Sequence, residues 1–508
     1  MNKNYYITTP IYYINDIPHI GHAYTTIAAD IMARFKRICG YDVFFLTGTD
    51  EHGQKIEKAA ELQGINPGEL ADRMVSRFSD LWKVLNISNT GFIRTTEERH
   101  KKVAQYIFKK AYDSGDIYLG EYEDWYCVPC ESYYTELQLN DGKCPDCLRQ
   151  PEKLKEESYF FKLSKYSEKL LEFMEVNKSF IMPEVRQNEV TSFIKSGLRD
   201  LSVSRTSFSW GIPIPIMAKH IIYVWFDALT NYLTGIGFLD DMDTFNKFWP
   251  CDAHLMGKDI LRFHAVYWPS FLMSVNIEPP KRIFAHGWWT IEGQKMSKSI
   301  GNVIDPHDIV KTYGVDEFRF FMFREVPFGQ DGDFSKNSLI HRINGDLAND
   351  FGNLTSRSVT MIEKFLQGRV QKPEKKGGMD VYVEENTIHL IDEYRKDMEK
   401  FAYHKALQDV FEIISILNKY IDTEAPWKLS KDGDVRIKTV LFNIWNGLRI
   451  AAMLLYPFMP DKSQVIWNVL GIGRQIEKAS FERETVFYLD EGISHIAKIK
   501  PVFPRIEG

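Results

Sequence analysis

The chain has 508 residues, of which 44% are hydrophobic and 26% charged, and a formal net charge of −6. That length exceeds one ordinary core and calls for roughly two to four domains, while the balance excludes a disordered or fibrous protein. The negative total excludes indiscriminate coating of nucleic acid, although phosphate affinity is set by local Lys/Arg clusters and not by the sum.

Met1-Asn2-Lys3-Asn4 runs directly into a strand-like segment at 5–8, so no secretory segment is expected. The longest nearly apolar run, 450–460, is too short to span a bilayer. A cytoplasmic, reducing location with no membrane attachment is expected. The first strand ends at Pro10, and a helix follows over about 18–37. Its buried stripe is Ala23, Ile27, Ile31, Phe35 and Ile38 at helical spacing, and Gly40 stops it. A second strand at 42–47 leads into the turn Gly48-Thr49-Asp50-Glu51-His52-Gly53 and another helix.

The texture changes from about 115 to 151, where two Cys pairs and several tyrosines replace periodic apolar positions. The rhythm returns at 221–226, which reads as a buried strand. His254-Leu255-Met256 follows, then Gly257-Lys258-Asp259 opens a helix, and 282–285 forms one more strand. This order predicts an α/β, Rossmann-like doubly wound parallel sheet split by an insertion. Beyond 340 the stripes Leu407, Val410, Phe411, Ile414, Leu417, Ile421 and Ile437, Val440, Leu441, Ile444, Leu448, Ala451, Leu455 predict an all-α bundle. The expected units are a first half of the split Rossmann-like domain (1–114), a connective insertion (115–220), its second half (221–288), a linker (289–344) and the bundle (345–508), with a loop at 371–378.

Two widely separated words carry chemistry. The first is Tyr12-Tyr13-Ile14-Asn15-Asp16-Ile17-Pro18-His19-Ile20-Gly21-His22, and the second is Lys295-Met296-Ser297-Lys298-Ser299. His19 and His22, three apart, share one face of a helix's first turn. Gly21 lets a nucleotide approach the backbone, and a helix N-terminus favours phosphate. Lys295 and Lys298 lie in a loop able to bring two ammonium groups to the outer phosphates as a transition state forms. Incidental histidines and a solvated basic loop explain either word alone. Gly257 and Asp259 sit where a doubly wound fold binds ligands, at a strand's carboxyl end. Asp259 there suits ribose hydroxyls, a helix cap being the competing role.

Cys127, Cys130, Cys144 and Cys147 form a C-x2-C…C-x2-C array inside the insertion. In a reducing compartment this spacing reads as one closed, structural Zn2+ knuckle; two disulfides or an iron site are the alternatives. Cys39 and Cys251 are isolated and read as small buried hydrophobes.

Together the two words resemble the HIGH and KMSKS signatures of class I aminoacyl-tRNA synthetases. Within that class the chain resembles the methionyl-tRNA synthetases over essentially its whole length. The carrying segments are Thr9-Pro10-Ile11-Tyr12-Tyr13, the turn 47–53, Val224-Trp225-Phe226-Asp227-Ala228-Leu229-Thr230-Asn231-Tyr232, and 257–268. The resemblance implies joining of methionine to ATP with release of pyrophosphate, then transfer of the methionyl group to the terminal adenosine of tRNA(Met), initiator tRNA included. It places His19, His22, Lys295 and Lys298 on the phosphates, Asp259 on ribose, and Mg2+ with ATP. The main chain of Ile11 and the Asp50 carboxylate take the substrate ammonium. Tyr13, Trp225, Ala228, Leu229, Tyr232, Ile260, His264 and Trp268 line the side-chain pocket, an apolar aromatic slot suited to a thioether, with the Tyr232 hydroxyl at the sulfur. Trp427 stacks on a base of the anticodon while Asn353 and Arg357 read base edges.

Two rivals share parts of this pattern. Other class I synthetases for branched residues carry an editing domain that the insertion is too short to hold, and a cysteine enzyme would place zinc ligands in the cleft. A nucleotidylyltransferase on the same sheet would not need the bundle. Many family members also carry a C-terminal oligonucleotide-binding barrel. This sequence stops at Pro504-Arg505-Ile506-Glu507-Gly508, so dimerisation through that module is not expected, and there is room for a separate tRNA-binding protein as partner.

Overall fold

The computed structural model describes residues 3–14, 17–128, 132–134, 136–145, 147–295, 304–370, 372, 377–487, 494–497 and 500–507. At its centre are six parallel strands: β1 (Lys3–Tyr13), β2 (Tyr41–Asp50), β3 (Gly91–Arg94), β4 (Ile181–Met182), β5 (Ala253–Gly257) and β6 (Ile283–His286). Their spatial order is β3-β2-β1-β5-β6-β4. The order reverses between β1 and β5, which opens the ligand crevice of a doubly wound sheet at the strands' carboxyl ends. Both faces are covered, so the strands are near-continuous apolar runs such as Phe44-Phe45-Leu46.

β1 does not stop at Pro10 as expected. It continues to Tyr13 with a register shift between Thr8 and Ile11, so that Ile11 pairs with Gly48 and Tyr13 with Asp50. A proline lacks the N–H that a regular ladder needs, and an irregularity is where it fits. Helix α1 (Ile20–Ile38) is buried almost all round, because the sheet covers one face and the helical bundle the other.

The insertion is a four-stranded antiparallel sheet whose long hairpin pairs Ile117 with Phe161 and runs out to Tyr126 opposite Glu152. Two expectations need correction. The segment Ile181–Met182 lies within the expected insertion yet pairs with β6 as an edge strand of the central sheet. The run at 221–226 is not one buried strand: Met217–Ile222 belongs to a separate three-stranded antiparallel sheet, and Val224–Leu229 is helix. A short continuous apolar run does not distinguish strand from helix by its period.

The bundle consists of α2 (Asn353–Leu366), α3 (Gly378–Glu399), α4 (Tyr403–Glu424), α5 (Pro426–Asp432), α6 (Arg436–Leu455) and α7 (Pro460–Val469). Both predicted stripes are buried, and α6 is buried on every side as the central helix. The boundary expected at 344/345 falls inside an unbroken helical rod, Lys336–Arg342 followed by wide π-type turns over Ile343–Gly352 and then α2.

Bundle and catalytic sheet meet along α1. The fully buried Arg319 donates to Asp30 Oδ2 at 2.7 Å and to the carbonyls of Leu85, Pro457 and Phe458. Asp30 also accepts from Arg34 Nε at 2.7 Å and from the Ser88 N–H and hydroxyl. Burial alone would raise the Asp30 carboxyl; the guanidiniums of Arg34 and Arg319 and the Ser88 bonds overcome it and hold it well below the usual range.

Candidate active site

His19 is the N-cap of α1, and its imidazole does what Ser or Asp usually does there. Its Nδ1 accepts from the Gly21 N–H at 3.1 Å, while Nδ1 of His22 accepts from the His19 N–H at 3.1 Å. The rings stack with centroids 3.9 Å apart. Each Nδ1 therefore presents a lone pair, which leaves Nε2 as the ring nitrogen that donates. Burial and the neighbouring His19 push the His22 pKa well below its ordinary value, so at neutral pH it is an uncharged N–H donor. The histidines are thus both cap and candidate phosphate donors; the two explanations open in the sequence coexist. A Cβ on Gly21 would come within 3.0 Å of the His19 ring, so this glycine keeps the cap in place.

Across the crevice, a Cβ on Gly257 would lie 2.5 Å from Asp259 Oδ1. That oxygen accepts from Trp288 Nε1 at 3.1 Å. Lys258 pairs with Asp331 at 2.6 Å and lies over the Trp288 ring. His286, at the end of β6, reaches back to α1 through Thr25 Oγ1 at 2.7 Å. The hairpin Trp289–Ile291 with Gln294–Lys295 leads into the lysine loop, and Trp289 packs edge-on against Tyr24 of α1. Lys295 ends that hairpin; Met296, Ser297, Lys298 and Ser299 lie outside the described residues.

Of the expected pocket residues, Trp225, Tyr232, His264 and Trp268 come together through ring contacts. Asp50, 8% exposed at the end of β2, stands beside Tyr13. Helix Val224–Leu229 supplies Trp225, Ala228 and Leu229, and the next short helix supplies Tyr232. Wide turns over Phe263–Tyr267 bring His264 and Trp268 onto the same side. The Tyr232 hydroxyl meets His264 Nε2 at 2.7 Å, and His264 Nδ1 meets the Ile260 carbonyl at 3.0 Å. A carbonyl only accepts, so Nδ1 carries the proton and Tyr232 donates to Nε2. Burial pushes the His264 pKa down to about 4, against the Ile260 bond. Phe263, not singled out in the sequence, stacks on Trp225 at 3.7 Å; a regular helical spacing would not have put it there.

In the insertion, the sulfurs of Cys127, Cys144 and Cys147 lie within 4.8 Å of one another, Cys127 and Cys147 at 3.4 Å. Tetrahedral zinc–thiolate bonds of about 2.3 Å require sulfurs about 3.8 Å apart, so this donor set fits a metal. Cys130 lies outside the described residues. In the bundle, Asn353 and Arg357 are exposed on one face of α2, and Trp427 at the start of α5 is 44% exposed. Arg357 pairs with Asp422 of α4 at 2.9 Å.

A family model described as tRNA synthetases class I (M) matches residues 5–153 and 148–359, and one for the anticodon-binding domain of tRNA ligase matches 380–501. A methionine–tRNA ligase of Caldanaerobacter subterraneus is 51% identical over the whole chain and 80% of its own length. This chain belongs to the methionyl-tRNA synthetases. The Bacillus subtilis methionine–tRNA ligase is 47% identical over the whole chain and 78% of its own length. Among solved structures, the Mycobacterium tuberculosis methionyl-tRNA synthetase in complex with methionyl-adenylate is 44% identical with a TM-score of 0.95, covering 99% of this chain and 100% of that one. The apo form of the same enzyme gives 40% identity and a TM-score of 0.88, covering 100% and 99%.

Proposed function

We propose that this methionyl-tRNA synthetase divides its reaction among the residues just described. A methionine carboxylate oxygen attacks the α-phosphorus of ATP, the bond to the β-phosphate breaks, and pyrophosphate leaves. A hydroxyl of the terminal adenosine of tRNA(Met), initiator tRNA included, then attacks the carbonyl and releases AMP. Phosphoryl transfer asks for positioning and donors more than for a base. The Nε2–H groups of His19 and His22 at the N-terminus of α1 supply such donors, and Lys295 and Lys298 add charge from the loop. Asp259 takes the ribose, while Gly21 and Gly257 leave room for the nucleotide. Asp50 and the Ile11 carbonyl take the ammonium, and the pocket from Tyr13 to Trp268 takes the thioether. Mg2+ enters with ATP. One structural Zn2+ is assigned to Cys127, Cys144 and Cys147 with Cys130 as fourth ligand. Asn353, Arg357 and Trp427 are assigned to the anticodon.

The stacked, backbone-capped histidine pair at the sheet's crevice is the observation that carries this assignment. No helix among the described residues is long and apolar enough to cross a membrane, and a cytoplasmic location is part of the proposal. ATP–pyrophosphate exchange against all twenty amino acids, repeated with Lys298→Ala and Trp427→Ala, tests it. Exchange should depend on methionine, fall sharply in the first variant and survive in the second, whose charging of tRNA(Met) alone declines. Undiminished exchange in Lys298→Ala would remove the lysine from the phosphates.

A further inference from the structure

One carboxylate outside the assigned site joins both ends of the methionine pocket. Asp227 is fully buried in the helix Val224–Leu229, between Trp225 on one side and Ala228 and Leu229 on the other. Its Oδ2 meets His52 Nδ1 at 2.7 Å and its Oδ1 meets His100 Nε2 at 2.7 Å. His52 is two residues beyond Asp50 and 3% exposed; His100 is fully buried in the helix Glu98–Asp113. The second nitrogen of His100 meets Thr234 Oγ1 at 3.2 Å, at the end of the short helix that carries Tyr232. His52 is backed edge-on by Trp210, whose Nε1 donates to the Glu51 carbonyl at 2.6 Å.

We propose that Asp227 is a positioning residue for methionine: gripped by His52 and His100, it fixes the wall bearing Trp225, Ala228, Leu229 and Tyr232 at a set distance from the strand end bearing Asp50. The inference rests on the methionine-activating assignment above. A helix of six residues has too little internal bonding to hold its own orientation. Cohesion alone would be served as well by apolar side chains, since a buried charge with its partners is no more stable than a packed hydrophobic cluster. What the carboxylate adds is direction, because two short bonds from opposite elements leave it a single placement. The ammonium end of the substrate is held at a strand end and the thioether end by these short helices; the Asp227 cluster ties the two together, beside the bond from the Tyr6 hydroxyl to the Tyr232 carbonyl at 2.7 Å.

The test uses the full-length enzyme in ATP–pyrophosphate exchange, with methionine and ATP each varied and Tm measured in parallel. Asp227→Asn keeps the volume but offers one acceptor oxygen to two imidazoles. His100→Gln loosens the same carboxylate from a helix that supplies no pocket residue, which guards against a folding failure of the first variant. In both, KM for methionine should rise roughly ten- to a hundredfold, the scale of a small misplacement, while KM for ATP stays within about twofold. A fall in Tm with KM for methionine unchanged, or parallel shifts in both KM values and kcat, would make the cluster a core ion network and overturn the proposal. Wild-type protein without methionine-dependent exchange would instead overturn the activity assignment, and this inference with it, before any variant is compared.

Discussion

The Tyr232 hydroxyl donates its only proton to His264 Nε2 at 2.7 Å, so it faces the pocket with lone pairs alone. A sulfur placed beside it meets an oxygen whose hydrogen is already committed. In the proposed methionine slot the hydroxyl is therefore expected to order the wall and not to donate to the substrate.

Tyr232→Phe should leave His264 Nε2 buried without a donor, a loss of about 1–3 kcal/mol, and raise KM for methionine with little change in KM for ATP. Steady-state exchange checks it. The His264 pKa of about 4 lies below that of the unfolded chain, so the unfolded state binds more protons between about 4 and 6.5. Its contribution to stability is whole above that window and is lost as pH falls through it. Urea titrations at pH 7 and pH 5 should show a shallower loss in His264→Asn than in the wild type.

His22→Ala removes a phosphate donor and a cap at once. Adenylate formation should fall by about 3 kcal/mol of transition-state stabilisation, and stability by about 1 kcal/mol. Gln at the same position can restore the capping box, so His22→Gln should recover Tm without recovering the single-turnover rate. Recovery of both together would reduce His22 to a cap. Because His22 is held neutral by burial, the rate should not change with imidazole titration between pH 6.5 and 8.

Arg319→Met breaks a buried ion cluster from one side and should cost about 3–5 kcal/mol, read as a lowered denaturation midpoint. Asp30 has its folded pKa depressed. Its contribution is therefore present above the ordinary carboxylate range and is lost as pH falls below it, so acid unfolding of the variant should begin at higher pH.

Cys144→Ser should release the bound metal, measured as zinc per chain, and open the insertion hairpin to protease. The far-ultraviolet signature of the central sheet and bundle should persist. Full zinc occupancy in the variant would end the ligand assignment.

The bundle stripes, the cysteine spacing and the histidine pair at a helix start were legible because each is a local pattern tied to one period or one ligand geometry. The tautomer of the two histidines was not: it depends on backbone N–H groups turned toward Nδ1, which no spacing encodes, and the neutrality of His22 depends on burial that only the fold creates. Ile181–Met182 was hidden because two residues carry no period. Arg319 sits in a helix with Asp316 and Glu317 and reads as a surface charge, yet it is fully buried. Phe263 was missed because wide turns shift the face it occupies. The role of Asp227 was veiled by its motif, where it passes as one more letter.

Helix α1 also answers to the bundle. Its Ala28 carbonyl accepts from Tyr403 at 2.8 Å, its Lys36 pairs with Glu399 at 2.5 Å, and its Arg34 reaches the Tyr456 hydroxyl at 3.2 Å. Cut away the helical half and these polar groups lose their covers together, on the very rod whose tip presents the imidazoles. Amputation at the linker should therefore lower the denaturation midpoint of the catalytic half and silence amino-acid activation, even though every residue assigned to that chemistry would remain.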